Sequence, residues 1–476
     1  MDRVFAPGSR EESRLTPSQD PPPPPSRIIV PGASPPDDPG ASAGGPRIVL
    51  PPGVEAEEDA DLPEFPRLRL LEMMPVRDGD KDYLVVSDPL GVLPAPVALR
   101  LEALELMQVL DGSVSLKELS ALVARESKDI RAGRFVRDFV AQLDRLLLLE
   151  SPRFEKALAE LRAAYHPLEV RQAALEGVSY PADRDEAEKF LSGHFEQAMT
   201  QPPAGVPETQ GADVPSRPLR ALMVPHLDPR RAGAAIARGY LELERHLAPT
   251  KAPLRVVVLG VGHSLVGELF ALTRKHFETP FGHLRCDTAF VDALASRLGE
   301  SAYRGELAHR DEHSIEFQAL YLRHRFRDRT MTLVPILCGG FHAQLEQERS
   351  PTSDPELSSL IDAVRETERE QGGDTLYVAA VDFSHVGVRF GDPALDDRTR
   401  REVEEKDRAA IEAAQRGDAE GWHQAIASHQ DSTRICGWGA TYLMLRCAEP
   451  GAGRLLHYEQ SAEPNGSLVS VASMAW

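Results

Sequence analysis

Four short apolar runs, separated by stretches of helical periodicity, constrain this chain more than any other feature. The runs cover residues 220–224, 255–260, 332–337 and 376–381, and the helical stretches cover 235–246, 291–298, 313–324 and 355–366. A strand with one face in water alternates apolar and polar side chains, whereas a strand covered on both faces is apolar throughout. These runs are of the second kind, rich in Val, Ile and Leu. Their alternation with helices predicts an α/β domain, a sheet flanked by helices, from about residue 165 to 476. There is no internal repeat at a solenoid period.

Upstream the texture differs. Residues 1–66 hold 16 of the 39 prolines, including the run Pro21 to Pro25, among Gly, Ser, Ala and acidic residues. Such a segment buries too little apolar surface to offset its ordering entropy, so it is expected to be a disordered tail. Its proline run serves as a plain tether or as a ligand for an aromatic groove. Residues 67–160 predict a small module. A strand over 83–86 is followed by turn chemistry at Asp88-Pro89-Leu90-Gly91. Leu99, Leu101, Leu104, Leu106, Val109 and Leu110 recur at helical spacing until Asp111-Gly112. Ser115 opens a second helix, and Phe135, Val136, Phe139, Val140 and Leu143 mark a third. One hairpin and about three helices outline a small winged-helix-like domain.

Charge narrows the partners. Lys plus Arg number 54 and Asp plus Glu 74, a net charge of −20, the wrong sign for nucleic acid or an anionic membrane. No apolar run approaches the roughly 20 residues a membrane-spanning helix needs. Met1 to Thr16 lack the apolar stretch of a secretory leader. With only four cysteines (Cys286, Cys338, Cys436 and Cys447), a disulfide scaffold is not expected, and the location implied is cytoplasmic.

Three of the four runs deliver a histidine just past their ends: Val224-Pro225-His226, Leu259-Gly260-Val261-Gly262-His263 and Val381-Asp382-Phe383-Ser384-His385. In an open α/β sheet that edge forms the binding crevice. Neutral imidazole is the commonest protein ligand for a metal, so the pattern points to a site and invites a transition metal. Local metal motifs such as H-E-x-x-H or C-x-x-C are absent, so any ligand set has to be assembled at long range. A further element, Arg434-Ile435-Cys436-Gly437-Trp438, reads as a loop entering a buried helix. A cysteine at a helix N-terminus has a lowered pKa and acts as thiolate; equally, Cys436 fits as a small buried hydrophobe. Asp311-Glu312-His313-Ser314-Ile315-Glu316 opens another helix. There His313 and Glu316 share a face, and support of the helix is favoured over chemistry.

Taken in order, these elements resemble the Memo family, protein B of the AmmeMemoRadiSam system. The resemblance rests on Gly177-Val178-Ser179-Tyr180-Pro181, Val224-Pro225-His226, Gly260-Val261-Gly262-His263, Thr279-Pro280-Phe281-Gly282 and Glu312-His313-Ser314-Ile315-Glu316. It continues through Asp382-Phe383-Ser384-His385 and Ile435-Cys436-Gly437 to Ser467-Leu468-Val469-Ser470. It implies the fold of class III extradiol dioxygenases and a metal-dependent redox site with iron or copper. His226, His263 and Cys436 would be the metal ligands, with His385 as acid/base and Asp382 its neighbour. Two departures bear on substrate. The family's A-G-Y-x-Y-S-G after the first histidine is replaced by Leu227-Asp228-Pro229-Arg230-Arg231, and Trp438 follows Cys436 as a residue able to narrow the cleft.

The upstream module, through Val86-Ser87-Asp88-Pro89, Leu110-Asp111-Gly112 and Ser115-Leu116-Lys117-Glu118-Leu119, resembles PqqD-like domains, which present peptides to radical-SAM enzymes. Together the resemblances imply an oxidoreductase working with a radical-SAM protein and an AMMECR-type protein on a peptide or small aromatic substrate. A non-catalytic peptide-binding adaptor and a metal carrier are the alternatives.

Overall fold

The computed structural model describes residues 62–93, 95–207, 218–247, 252–265 and 267–476. The expected disordered tail therefore lies, up to residue 61, outside the described residues. The chain divides into two compact units at Phe154/Glu155.

In the first unit, strands β1 (Glu72–Asp78), β2 (Lys81–Ser87) and β3 (Val97–Arg100) form an antiparallel meander. Helices α1 (Ala103–Met107), α2 (Leu116–Ser127) and α3 (Ile130–Arg145) follow. Pairing starts ahead of Arg67, because the Glu64 and Pro66 carbonyls accept from Leu116 and Gly112 N–H. Ser115 and Glu118 cap α2 reciprocally, the capping box that its S-x-x-E spelling signals. Asp88 shapes the predicted turn, accepting from the N–H groups of Leu90, Val92 and Leu93 and from Arg69. One expectation is corrected. Leu99 is not helical but lies in β3, paired with Leu84 of β2; α1 is only five residues long. A leucine every two to four residues satisfies both periods, and packing on β2 decides between them. Leu84, Val86, Leu99, Met107, Val136, Val140 and Leu143 make the core.

Helix α4 (Pro152–Tyr165) leads into the second unit, which is built on an eight-stranded mixed sheet. Its strands are β5 (Ala221–Val224), β6 (Leu254–Val261), β7 (Phe270–Leu272), β9 (Met331–Cys338), β10 (Asp374–Ala380), β11 (His385–Val386), β12 (Arg454–Ala462) and β13 (Leu468–Ala475). The order is β11-β13-β5-β10-β6-β9-β7, with β12 beside β13. Strands β5, β10, β6 and β9, the four apolar runs, are mutually parallel, and β13 and β7 flank them antiparallel. The short β4 (Val170–Arg171) and β8 (His276–Phe277) pair separately.

Alternate residues of each central strand enter different cores. Val257, Leu259, Tyr377 and Ala379 join one, which includes residues of α7 (Thr288–Leu298), α10 (Pro355–Gln371), α11 (Asp397–Gln415), α12 (Ala419–Ala427) and α13 (Trp438–Ala448). Val256, Val258, Leu376 and Val378 join the other, with α5 (Arg184–Thr200), α6 (Pro229–Leu247) and α8 (His313–Arg325). Burial on both faces is why these strands carry no polar alternation. A short helix α9 (His342–Glu346) follows β9. Among the described residues, no helix is long and apolar enough to cross a membrane.

Candidate metal centre

Because β10 lies between β5 and β6, the turns after these three parallel strands are spatial neighbours. They carry His226 (after β5), Asp382 and His385 (after β10) and His263 (after β6). The crevice is therefore assembled by strand order, at the carboxyl edge where α/β sheets bind ligands.

Each imidazole is oriented by a bond at Nδ1. His226 places Nδ1 at 2.8 Å from the Ala380 carbonyl, so Nδ1–H donates and Nε2 keeps its lone pair. His263 donates both its backbone N–H, at 3.0 Å, and Nδ1–H to the Glu312 carboxylate. His385 directs Nδ1 at the carbonyls of Phe383 (2.9 Å) and Arg434 (3.1 Å). A second-sphere acceptor at one nitrogen selects the tautomer that offers the other to a metal or a proton.

The Nε2 of His226 faces Cys436 Sγ at 3.5 Å and Asp382 Oδ2 at 3.5 Å. Asp382 is itself held by the N–H groups of His226 and Leu227, both donating to Oδ1. The ring of His226 stands edge-on to His263, with centroids 5.1 Å apart. Among the described residues, two groups have donor atoms all within 4.8 Å of one another: His226, His263 and His313, and His226, Asp382 and Cys436. All five residues singled out in the sequence thus lie about this one strand edge. His226 is common to both groups, whereas His263 and Cys436 share neither.

Burial favours the neutral form of His226, His313 and His385. Burial, then the neighbouring His263, pushes His226 down to about 3; burial, then His226, takes His313 to about 4. His385 is likewise lowered by burial, against the pull of Asp382. Burial raises Asp382, opposed by His385 and by its two backbone donors. Glu312 is also desolvated, yet His263 and His313 hold it well below the ordinary carboxylate range.

Of the two roles open to Cys436, its surroundings favour the neutral thiol: burial, then Asp382, pushes it well above the usual value. The cysteine precedes α13 by two residues and points Sγ at the Asp382 carbonyl, 3.6 Å away, rather than at the free N–H groups of the helix. The dipole that would lower its pKa is not engaged. Gly437 is what allows this approach, since a Cβ there would lie 2.6 Å from Val381 Cβ and 2.8 Å from the Asp382 carbonyl oxygen. Cys286, Cys338 and Cys447 are buried core residues.

His313 and Glu316, read together as helix support, separate in the structure. Glu316 is structural, fully buried against Arg171, Tyr180 and the N–H groups of Ala174 and Leu175. His313 instead enters the crevice, its ring stacked 4.8 Å from that of His263. The underlying signal is Glu312, which caps α8 through Ser314 N–H and also contacts Nδ1 of both His263 and His313. Asp407 was not visible as a support. Buried in α11, it accepts from Ser384, Ser470 and Tyr458 and so anchors the Asp382–His385 turn to β13.

The two family departures face elsewhere. Arg231 pairs with Glu463 at 2.7 Å and Arg230 reaches the Val178 carbonyl. Trp438 does not narrow the crevice; its ring is buried in the core against Phe341 and His423.

Comparison with known proteins is concordant. A family model described as Memo-like protein matches residues 171–475. A MEMO1 family protein of Aquifex aeolicus is 27% identical over 416 residues, spanning 86% of this chain and 99% of its own. That alignment is longer than the family-model match and takes in sequence outside it. A MEMO1 family protein of Thermus thermophilus is 29% identical over 322 residues, covering 67% of this chain and 87% of that relative. One from Methanosarcina acetivorans is 26% identical over 311 residues, 65% and 98% of the two chains.

Proposed function

The chain belongs to the Memo family, and from that premise we propose that its crevice is a transition-metal redox site. The observation that supports this reading is the convergence on His226 Nε2 of a thiol and a carboxylate oxygen, each at 3.5 Å, beside a second oriented imidazole. Imidazole, thiolate and carboxylate together suit iron or copper, the sulfur favouring copper(I) in particular. A bound ion of either kind would supply one-electron chemistry and open positions for O₂ or substrate.

The residues divide the remaining work. His226 and His263 offer Nε2, and Cys436 its sulfur, to the ion; Asp382 fixes the backbone that carries His226. His385, neutral and with Nδ1 engaged by two carbonyls, has Nε2 available to take a proton from a phenol or amide substrate. The first unit is proposed to be a winged-helix-like, PqqD-like module that captures a peptide. Tethering it to the redox unit raises the effective concentration of that peptide at the crevice. A radical-SAM protein and an AMMECR-type protein are the proposed partners, in the cytoplasm, where unbridged cysteines such as Cys436 persist.

A metal-carrier reading has one observation in its favour, the 39% exposure of the His263 side chain, which leaves a route for ion exchange. Anaerobic purification with quantification of Fe, Cu and Zn, repeated on His263→Ala and Cys436→Ser, separates the readings. Metal lost in either variant together with O₂ consumption by the parent supports the enzyme. Metal without turnover supports the carrier. A metal-free parent that retains a peptide partner refutes both and supports an adaptor.

A further inference from the structure

His313 has no ligand role in the reading above, yet its ring stands in the crevice beside two of the proposed ligands. It is the first residue of α8, and its ring lies 5.1 Å from that of His226 at 82° and 4.8 Å from that of His263 at 15°. A ring nitrogen from each of the three lies within 4.8 Å of the others. Glu312, with a side chain 3% exposed, stands behind two of these rings at once. Its oxygens lie 3.0 Å from His263 Nδ1 and 3.2 Å from His313 Nδ1. By accepting from His263 Nδ1–H the carboxylate leaves Nε2 of that ring as the donor, and the Ala380 carbonyl does the same for His226. The same carboxylate also accepts the His263 and Ser314 amide N–H groups. A buried carboxylate behind a ring is the outer partner that orients a metal-binding imidazole.

We infer that the crevice has two overlapping ligand sets hinged on His226: a three-imidazole set of His226, His263 and His313 for a borderline divalent ion, and a sulfur-bearing set of His226, Asp382 and Cys436 for a softer one. This deepens the metal-site reading above and rests on it. Zn(II), Co(II) and Cu(II) suit three neutral imidazoles, and thiolate selects Cu(I). Identity and oxidation state of the ion would thereby determine whether Cys436 is a ligand.

The test uses metal binding rather than turnover. The full-length protein, stripped by chelator and kept anaerobic, is titrated with Co(II), whose thiolate complexes add an intense near-ultraviolet charge-transfer band that imidazole complexes lack. The parent is expected to bind Co(II) without that band, and Cys436→Ser to bind it within about 3-fold of the parent. His313→Asn and His226→Ala are each expected to weaken binding by at least ~10-fold, the scale on which even outer-sphere partners act. A thiolate band in the parent, with binding lost in Cys436→Ser and kept in His313→Asn, overturns the three-imidazole set and leaves the metal site standing. A parent that binds neither Co(II) nor Cu(I) overturns both. Unchanged binding in His226→Ala overturns the shared hinge. Should His313→Asn fail to fold, X-ray absorption of the Zn(II)-loaded parent decides: a nitrogen-only first shell supports the inference and a sulfur scatterer overturns it.

Discussion

Glu312→Gln is the substitution that isolates what the carboxylate does for the metal centre. The carboxylate accepts three N–H groups, the Ser314 amide at 2.9 Å, the His263 amide at 3.0 Å and His263 Nδ1 at 3.0 Å, and it lies 3.2 Å from His313 Nδ1. A glutamine keeps one oxygen, enough to preserve the cap of α8. Its amide NH₂ can then face the His263 ring nitrogen that was donating, and the simplest relief is for that imidazole to move its proton to Nε2. That tautomer cannot offer Nε2 to a cation. Loss of such an orienting partner costs about 10–100-fold in metal affinity, or roughly 1.4–2.7 kcal/mol of binding. Apo stability changes by less than the effect of Glu312→Ala, which also removes the helix cap at about 1 kcal/mol. The assay is competition of Zn(II) against a chromophoric chelator, paired with urea unfolding of the apo proteins. Zinc affinity within 2-fold of the parent in Glu312→Gln, with affinity abolished in His263→Ala, would refute the tautomer argument. The acid limb adds a sign. Since the folded-state pKa of Glu312 is depressed below 4.5, its contribution is complete above about that pH. It is lost as the pH falls toward the folded value.

Other substitutions probe the supports. Arg171→Met leaves Glu316 charged at zero exposure and strips a donor from the carbonyls of His309 and Glu312; a loss of about 3–5 kcal/mol in urea unfolding is expected, and a loss under about 1 kcal/mol would refute it. Asp407 has its carboxyl raised to about 6 by burial, against three donating hydroxyls. Between its ordinary 3.8 and that value the folded state holds the extra proton, so this group lowers stability as pH rises, by up to about 3 kcal/mol. Asp407→Asn lacks the component, and its stability relative to the parent should improve from pH 4 to 7; parallel curves would count against it. Gly437→Ala should destabilise by about 1–3 kcal/mol through overpacking against Val381 and raise the reactivity of Cys436 toward a bulky thiol reagent. If reactivity stays at the parental level, the glycine is not what holds the thiol in place.

How much of this was legible depends on whether each signal is local. The four parallel strands were legible because burial on both faces writes itself into every residue of a strand, as in Val256 to Leu259. The histidines at their ends were legible because offset from a strand end is also a local quantity. Adjacency is not. That β10 lies between β5 and β6 follows from packing of residues more than a hundred positions apart, so the grouping of donor atoms around His226 could not be read from spacing. Leu99 was misread because its neighbours fit two periods and only Leu84 across the meander distinguishes them. The choice between the two roles of Cys436 was not legible because proximity to a helix in sequence does not fix the direction of a side chain, and here Sγ points to Asp382. His313 is the most instructive case. An acidic residue before a helix is a sufficient explanation of itself as a cap, and Glu312 does cap α8. The same carboxylate also orients an imidazole on a separate segment, 49 positions upstream. The local role therefore concealed the long-range one: a residue that satisfies a helix end in sequence leaves no unmet requirement to signal that its other oxygen is occupied elsewhere.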